Sequence, residues 1–273
     1  MISPGDPALV PRFGQALAEQ RLHMAYQPKV ALTDGNLVRV EALVRWDEPD
    51  LGLIPPSVFV PLAEAHGLIG ELTVWVLETS LSQWVRWREQ GLETSIAVNM
   101  SALSLEKLDF PDLVERTCRR LGVPTDCLVL ELTEGATQPL INLMDTLTRF
   151  RIKGIRLALD DFGTGYSSLL QLRHLPFTEL KIDRAFVSDL PVSNDCRLIV
   201  RCIVDLAHGL GLTTTAEGVE TVDQLAILRE LGCDLAQGYL ISRALGPDRL
   251  QSWREQFDAR WPQLTGELGA LPS

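Results

Sequence analysis

Short apolar segments alternate with longer amphipathic segments along most of this chain, and this alternation constrains its fold more than any other feature. The apolar segments have the length of strands and the segments between them have the length of helices. The candidate strands are Met24–Leu32, Leu37–Trp46, Ser95–Met100, Leu128–Thr133, Ile155–Asp160, Glu179–Asp183, Thr213–Ala216 and Leu235–Leu240. Alternating strands and helices favour a largely parallel sheet. This many strands in 273 residues favour a closed α/β barrel of the (β/α)₈ type, which takes about 250 residues.

The first two candidate strands are joined differently from the others. Residues 33–36, Thr-Asp-Gly-Asn, form a turn of the hairpin type. We therefore expect these two strands to be antiparallel. We divide the chain into an N-terminal tail at residues 1–10, a barrel at residues 11–260 and a C-terminal tail at residues 261–273.

Nearly every candidate strand carries a polar or acidic residue at or near its carboxyl end. These residues are Glu41, Asn99, Glu131 with Glu134, Asp160 with Asp161, Lys181 with Asp183, Glu217 with Glu220, and Gln237. In a (β/α)₈ barrel the carboxyl ends of the strands converge on one face, where the active site lies. Oxygen ligands from several strands, together with an amine from another, therefore predict one shared site.

The acidic pair Asp160-Asp161 follows a buried strand directly. Neighbours on an ideal strand point to opposite faces, so both acids can serve one site only if the chain leaves the strand here. Gly163 and Gly165 supply the backbone freedom for that departure. Taken alone, these residues also fit an acidic loop that caps the next helix.

The candidate ligands are all hard oxygen donors, without a thiolate or an imidazole: Glu41, Asn99, Glu131, Asp160, Asp161 and Glu217. This set suits Mg²⁺ or Mn²⁺. Several carboxylates can hold two ions about 3.5–4 Å apart, an arrangement that supports in-line attack on a phosphodiester. The alternative is an internal ring of salt bridges with Lys181, Arg45 and Arg39. We favour the metal site because the acids outnumber these partners and their burial would be costly.

A dinucleotide-binding enzyme is a weaker alternative. Residues 163–168 resemble the fingerprint G-x-G-x-x-G/A, and Asp183 follows at the next strand end. However, Ser168 replaces the third small apolar residue of the fingerprint. Asp160 and Asp161 would also flank the pyrophosphate without a cation to offset them, so we place a nicotinamide enzyme second.

Charge and cysteine content exclude several classes of protein. A formal net charge of −11 argues against broad nucleic-acid binding, which needs a basic face. No apolar run approaches the ~18 residues of a membrane span, and the N-terminus shows neither region of an export signal. The five cysteines are odd in number and form no C-x-x-C pair. We therefore expect reduced thiols and a cytoplasmic protein.

The motifs resemble, in their order along the chain, those of the EAL-domain cyclic di-GMP phosphodiesterases. The signature tripeptide is Glu41-Ala42-Leu43, preceded by Tyr26-Gln27-Pro28 and followed by Arg45-Trp46. The further matches are Asn99 to Ser101, Glu131 to Glu134, Asp160 to Leu169, Leu180 to Asp183, Ala216 to Glu220 and Gln237 to Tyr239. They cover nearly the whole chain. The resemblance implies a TIM-like barrel with an antiparallel first strand, in agreement with the predicted hairpin.

The resemblance also implies a role for each site residue. Glu41, Asn99, Glu131 and Asp160 would hold one Mg²⁺ or Mn²⁺ ion, and Asp160, Asp161 and Glu217 the second. Lys181 would lie next to the attacking water, and Asp160 and Glu217 would take part in catalysis with it. Gln27, Leu43, Arg45 and Asp183 would contact the substrate, with Arg45 on a phosphate. Glu220 and Gln237 would support the ligand shell, and Glu134 would hold the loop from Asp161 to Leu169.

The expected reaction is hydrolysis of one bond of cyclic di-GMP to linear pGpG in bacterial signalling. We expect Ca²⁺ to inhibit it, because Ca²⁺ takes the same oxygen ligands with a different geometry. The family also implies a homodimer, formed through the region after the sixth strand. The alternative is a catalytically silent cyclic di-GMP receptor, but such relatives usually lack metal-binding or loop residues that are present here. The chain departs from the family at Ala31 and at Arg39, which shares a strand face with Glu41 and would bear on its placement.

Overall fold

The computed structural model describes residues 8–19, 21–133, 140–163 and 169–266. The strands are β1 (Leu22–Ala31), β2 (Leu37–Glu48), β3 (Gly52–Ile54), β4 (Ser95–Asn99), β5 (Leu128–Thr133), β6 (Arg156–Phe162), β7 (Glu179–Ile182), β8 (Thr213–Ala216) and β9 (Leu235–Ala236). The helices are α1 (Leu9–Ala18), α2 (Pro56–Ala65), α3 (Ile69–Glu89), α4 (Ala102–Leu105), α5 (Phe110–Leu121), α6 (Leu140–Ile152), α7 (Leu169–His174), α8 (Arg184–Ser188), α9 (Asn194–Gly209), α10 (Val222–Glu230) and α11 (Leu250–Thr265). Within these ranges, no helix combines the length and the apolar character needed to cross a membrane.

The strands form one closed barrel. Their order is β1-β9-β8-β7-β6-β5-β4-β2-β3, and a further pairing of β1 with β2 closes the sheet. β1 runs antiparallel to both of its neighbours, β2 and β9, and β3 is a short antiparallel addition to β2. The other barrel strands pair in parallel. The structure thus confirms the predicted TIM-like barrel and its antiparallel first strand.

Apolar side chains pack between the barrel and the surrounding helices. Phe13 of α1 is fully buried, with its ring 5.2 Å from Trp46 of β2 and 5.4 Å from Phe59 of α2. Burial of a phenylalanine side chain contributes about 1.5–3 kcal/mol. Trp87 of α3 meets Tyr26 of β1 edge-on, with the ring centres 4.7 Å apart. These contacts hold α1, α2 and α3 against the antiparallel strand pair.

Polar caps define where the helices after the later strands begin. The Asp183 carboxylate accepts a hydrogen bond from Ala185 N at the start of α8, and the Ser193 hydroxyl accepts one from Cys196 N at the start of α9. Thr221 forms a capping box with Gln224 at α10. A side-chain oxygen at this position satisfies a backbone N–H group that has no partner within the helix. These caps therefore set the first residues of α8, α9 and α10.

The interior of the barrel holds a buried ion pair where such barrels usually have branched apolar side chains. Arg39 of β2 pairs with Glu179 of β7 and donates to the Ser95 hydroxyl at 3.2 Å. The Thr215 hydroxyl donates to the other oxygen of Glu179 at 2.6 Å. Burial lowers the pKa of Arg39 to about 10. We expected Arg39 to bear on the placement of Glu41, but its ion-pair partner is Glu179.

The hairpin between β1 and β2 is covered by the last helix. Gly35 has φ +73°, and a Cβ atom at this position would lie 2.3 Å from Cδ2 of Trp261. Only glycine allows the turn to approach the indole ring so closely. Trp261 and Leu264 are buried, and α11 therefore continues to Thr265, beyond the boundary at residue 260 that we set from the sequence.

Candidate active site

A cavity of about 280 Å³ lies at the carboxyl ends of the parallel strands. Eight residues that the sequence predicted for the site line it, namely Gln27, Glu41, Leu43, Asp160, Lys181, Glu217, Glu220 and Gln237. They come from β1, β2, β6 and β7 and from the segments that follow β8 and β9. The barrel therefore brings together residues that are up to 210 positions apart in the chain.

Lys181 is the centre of this site. Its ammonium group lies 2.7 Å from Glu217 Oε1, 2.8 Å from Asp160 Oδ2 and 2.8 Å from Glu131 Oε2, and its side chain is almost completely buried. Glu41 Oε2 is 3.8 Å away. These acids surround the ammonium group closely, so they raise the pKa of Lys181 well above its ordinary value although burial opposes the shift.

Asp160 and Asp161 both face this site because β6 is irregular at its end. The pairing register between β6 and β7 shifts between Leu159 and Phe162, and Asp161 has φ +56°. This is the departure from an ideal strand that the sequence required. Oxygen atoms of Asp160, Asp161 and Glu217 lie within 4.8 Å of one another. We call Glu41, Glu131, Asp160, Asp161 and Glu217 the acidic rim.

Two amides connect Glu41 to the edge of the cavity. Asn99 Nδ2 donates to Glu41 Oε1 at 2.8 Å, and Gln237 Nε2 donates to Glu41 Oε2 at 2.7 Å. Gln237 also donates to Gln27 Oε1 at 2.9 Å, and Gln27 donates to the Ser242 carbonyl at 3.0 Å. Gln237 Oε1 is buried without a hydrogen-bond partner among the described residues. Such an acceptor needs a donor, and a water molecule bound to a cation would supply one.

The acids of the rim differ widely in pKa. Burial raises the pKa of Asp160 to about 6 and that of Glu217 to about 7, although Lys181 opposes both shifts. Burial also raises the pKa of Asp161, with repulsion from Asp183 adding to it. Burial alone would raise the pKa of Glu131 too, but Lys181 and Lys29 lower it to about 2. The rim therefore has more acid than its two lysines neutralise, which agrees with a cation site rather than a complete ring of salt bridges.

Lys29 is a site residue that the sequence did not reveal. Its side chain is fully buried, and its ammonium group pairs with Glu131 Oε1 and lies 3.9 Å from Glu41 Oε2. β1 is antiparallel, so a search at the carboxyl ends of strands passes over it. The sequence did contain a signal for Lys29. Alternate residues of a strand point to the same face, so Lys29 shares a face with the candidate site residue Gln27.

Arg184 is a second cation that the sequence did not reveal, and it lies at the mouth of the cavity. Its aliphatic stem covers Gly218, where a Cβ atom would lie 2.5 Å from Arg184 Cγ. Its guanidinium group is 3.9 Å from Glu220 Oε1. Gly218 has φ +66° and follows Glu217 directly, so the glycine permits both the turn and this close cover.

The remaining predicted residues lie around the cavity or outside the described residues. Arg45 is half-buried and donates to the Val44 carbonyl at 3.0 Å, and burial lowers its pKa. Asp183 faces Asp161 while it caps α8. Glu134 and residues 164–168 lie outside the described residues.

Two further clefts adjoin the cavity. One, of about 430 Å³, is mostly apolar and is lined by β2, α2, α3 and the end of β4, including Leu43 and Asn99. The other, of about 860 Å³, runs along the first half of β1 and is lined by three arginines, Arg45, Arg86 and Arg243. Arg243 lies over the ring of Tyr239, 4.0 Å from its centre. An acidic site that could hold cations is thus flanked by an apolar cleft and a basic cleft.

The family assignment follows from comparison with known sequences. A family model described as EAL domain matches residues 12–244. The chain belongs to the EAL domain family. This confirms the resemblance, since the matched segment contains every motif on which it was based.

Relatives of this EAL domain include both named and uncharacterised proteins. An uncharacterised protein from Azorhizobium caulinodans is 47% identical over 234 residues, which are 83% of this chain and 32% of that protein. The cyclic di-GMP phosphodiesterase NbdA of Pseudomonas aeruginosa is 42% identical over 252 residues, 91% of this chain and 32% of that protein. The chain therefore spans about a third of the length of these curated relatives. The solved structure of the MucR phosphodiesterase in complex with c-di-GMP has a TM-score of 0.84 and 40% identity, and the match covers 89% of this chain and 99% of that one.

Proposed function

We propose that this EAL domain is a metal-dependent phosphodiesterase that hydrolyses one bond of cyclic di-GMP to linear pGpG, and so lowers the level of this second messenger in bacterial signalling. The observation that carries the proposal is the convergence of the acidic rim on Lys181 at the carboxyl end of the barrel. The named relatives support the substrate, because NbdA is a cyclic di-GMP phosphodiesterase and the MucR structure contains c-di-GMP.

The rim and Asn99 have the chemistry of a site for two Mg²⁺ or Mn²⁺ ions. Glu41, Asn99, Glu131 and Asp160 would hold one ion, and Asp160, Asp161 and Glu217 the other. When bound, the ions supply Lewis-acid polarisation of a phosphoryl oxygen and a nucleophile at neutral pH. The oxygen-only donor set and the buried, unpartnered Gln237 Oε1 support this assignment. Gln237 and Glu220 would support the ligand shell, and Glu134 would hold the following loop.

The protein side chains position the reacting groups. Lys181 holds its ammonium group within 2.8 Å of Asp160, Glu217 and Glu131, so its three N–H groups point at acids of the rim. If one of these carboxylates turned to a bound cation, the N–H group that it left would be free to donate a hydrogen bond to the attacking water. Because the side chain is almost completely buried, the ammonium direction is fixed before the substrate arrives. Fixed donors and charges lower the barrier without the cost of reorganisation during the reaction.

The two clefts beside the cavity suit the two halves of a cyclic dinucleotide. Arg45 lines both of them and would bind a phosphate, while Leu43 would contact a guanine base in the apolar cleft. Gln27, which lines the cavity, and Asp183 would also contact the substrate. A guanidinium group binds phosphate through paired hydrogen bonds, which suits Arg45 for this role.

The experiment is to incubate the protein with cyclic di-GMP and Mg²⁺ and to identify the products by chromatography. We expect pGpG as the product, and no turnover when EDTA is added. Binding of cyclic di-GMP without any product in the presence of Mg²⁺ and Mn²⁺ would instead support a silent receptor. Accumulation of a different product would contradict the proposed reaction.

We further propose that the domain works as a cytoplasmic homodimer. α9, which lies after the sixth barrel strand, exposes Leu198, Ile199 and Cys202 on neighbouring turns. An exposed apolar helix face is typical of a surface that another protein chain covers. Sedimentation of the wild type and of Leu198→Glu tests this, because a dimer through α9 should dissociate in the variant. The cytoplasmic location is supported by the five unpaired cysteines.

A further inference from the structure

Lys29 is buried beneath the acidic rim, on the side away from the cavity mouth. It lies on β1 opposite Arg39 in the strand register, one inward-facing position below Gln27. None of its side chain is exposed. Unlike Lys181, it does not line the cavity among the described residues. Its position is therefore that of a fixed charge rather than of a group that meets the substrate.

Each carboxylate oxygen of Glu131 pairs with the ammonium group of a different lysine. Lys29 pairs with Oε1, and Lys181 donates to Oε2 at 2.8 Å. The same Lys29 group lies 3.9 Å from Glu41 Oε2. Lys29 thus acts on two acids that the proposed metal site would use as ligands.

The two lysines differ in their freedom to make room for a cation. Lys181 is itself almost completely buried and also contacts Glu131, but it lines the cavity. Its other two partners, Asp160 and Glu217, have side chains that are 11% and 19% exposed. Lys29 contacts Glu131, whose side chain is fully buried. A lysine ammonium group in a closed interior has no water to move into. The charge of Lys29 must therefore remain beside Glu131 when a cation enters the rim.

We propose that Lys29 is a positioning residue that keeps a fixed positive charge on Glu131 and thereby lowers the affinity of the acidic rim for divalent cations. This inference rests on the proposed metal site. Like charges at short distance in a buried site repel strongly, because little water screens them. A chain with an uncharged residue at position 29 would fill the rim at a lower cation concentration.

The test is titration calorimetry of the full chain with Mn²⁺, which reports affinity without turnover. Lys29→Gln removes the charge and keeps a hydrogen-bond donor for Glu131. Lys29→Arg keeps the charge. Lys153→Gln is the matched control, because it makes the same substitution at a lysine that pairs with Asp112 and Glu115 away from the rim. We expect the dissociation constant for Mn²⁺ to fall by about tenfold or more in Lys29→Gln, and to stay close to wild type in the other two variants.

Each other outcome overturns the inference. Unchanged or weaker Mn²⁺ binding by folded Lys29→Gln would show that Lys29 does not oppose the cation. Tighter binding by Lys29→Arg as well would show that charge is not the cause. If the wild type itself binds no Mn²⁺, the proposed metal site fails together with this inference. Lys29→Met is a second variant that removes the charge. A bound cation should replace that missing charge, so failure of both Lys29→Gln and Lys29→Met to fold even in excess Mn²⁺ would also contradict the inference about Lys29.

Discussion

Gln237 Nε2 lies 2.7 Å from Glu41 Oε2, although the two residues are 196 positions apart in the chain. Gln237 follows β9 and Glu41 lies on β2, and these strands are separated in the sheet by β1. The hydrogen bond therefore spans the antiparallel strand that closes the barrel. It fixes the direction in which one Glu41 oxygen points, while Asn99 Nδ2 fixes the other.

Glu41→Gln should lower hydrolysis of cyclic di-GMP by more than about a hundredfold while the fold remains intact. The amide keeps the shape of the side chain but loses its charge, and its NH₂ group would face one of the two donors, Asn99 or Gln237, and lose that hydrogen bond. Turnover and far-UV circular dichroism are the measurements. Glu48→Gln is the matched control, because Glu48 is a buried glutamate of the same strand that pairs with Arg12 and Arg21. Wild-type turnover in Glu41→Gln would remove Glu41 from the metal site.

Lys181→Ala should lower kcat far more than it raises KM. The ammonium group lies among the acids rather than in either cleft, so its loss affects the reacting centre more than the substrate contacts. General acid–base and orienting groups typically contribute about 10²–10⁴-fold to the rate. Steady-state kinetics with cyclic di-GMP separates the two constants. A variant that keeps its kcat and loses affinity would instead make Lys181 a phosphate anchor.

The sequence predicted the barrel and most of the residues around Lys181, because both depend on local patterns. Strand length, helix length and a polar residue at each strand end are properties of short segments. Lys29 was missed because we searched for site residues at the carboxyl ends of strands, and the antiparallel β1 runs in the opposite direction to the parallel strands. The partner of Arg39 was missed for a different reason, since Glu179 lies 140 positions away and only closure of the barrel brings them together.

The two consecutive aspartates show how far local reasoning extends. The sequence required the chain to leave the strand near Asp160, and the structure has a register shift there with Asp161 at φ +56°. The pKa values of about 6 and about 7 for Asp160 and Glu217 could not be predicted in this way. They depend on burial and on the balance between acids and lysines from several strands.

Ca²⁺ should bind the rim in competition with Mg²⁺ and support little hydrolysis. Carboxylate oxygens accept both ions, so the donor type cannot exclude Ca²⁺. Mg²⁺ requires near-octahedral geometry at about 2.0–2.1 Å, whereas Ca²⁺ takes more ligands at about 2.3–2.6 Å. A displacement of the reacting atoms near 1 Å can cost about a hundredfold in rate. The measurement is hydrolysis in saturating Mg²⁺ while Ca²⁺ is added, and an undiminished rate with Ca²⁺ bound would contradict the two-metal proposal.

The metal-free protein should lose stability as the pH rises from about 5 to about 7.5. Burial raises the pKa of Asp160 to about 6 and that of Glu217 to about 7, so the folded state keeps protons that the unfolded chain releases above about pH 4–5. The free energy of unfolding should therefore fall by a few kcal/mol across this window. Lys181 and Glu131, which face Asp160 and Glu217, titrate outside this pH window. The pKa of Lys181 is raised well above its ordinary value, and that of Glu131 is lowered to about 2. Urea unfolding in EDTA at several pH values measures the effect. Glu217→Gln should weaken the dependence, whereas stability that rises with pH in the wild type would contradict the raised pKa values.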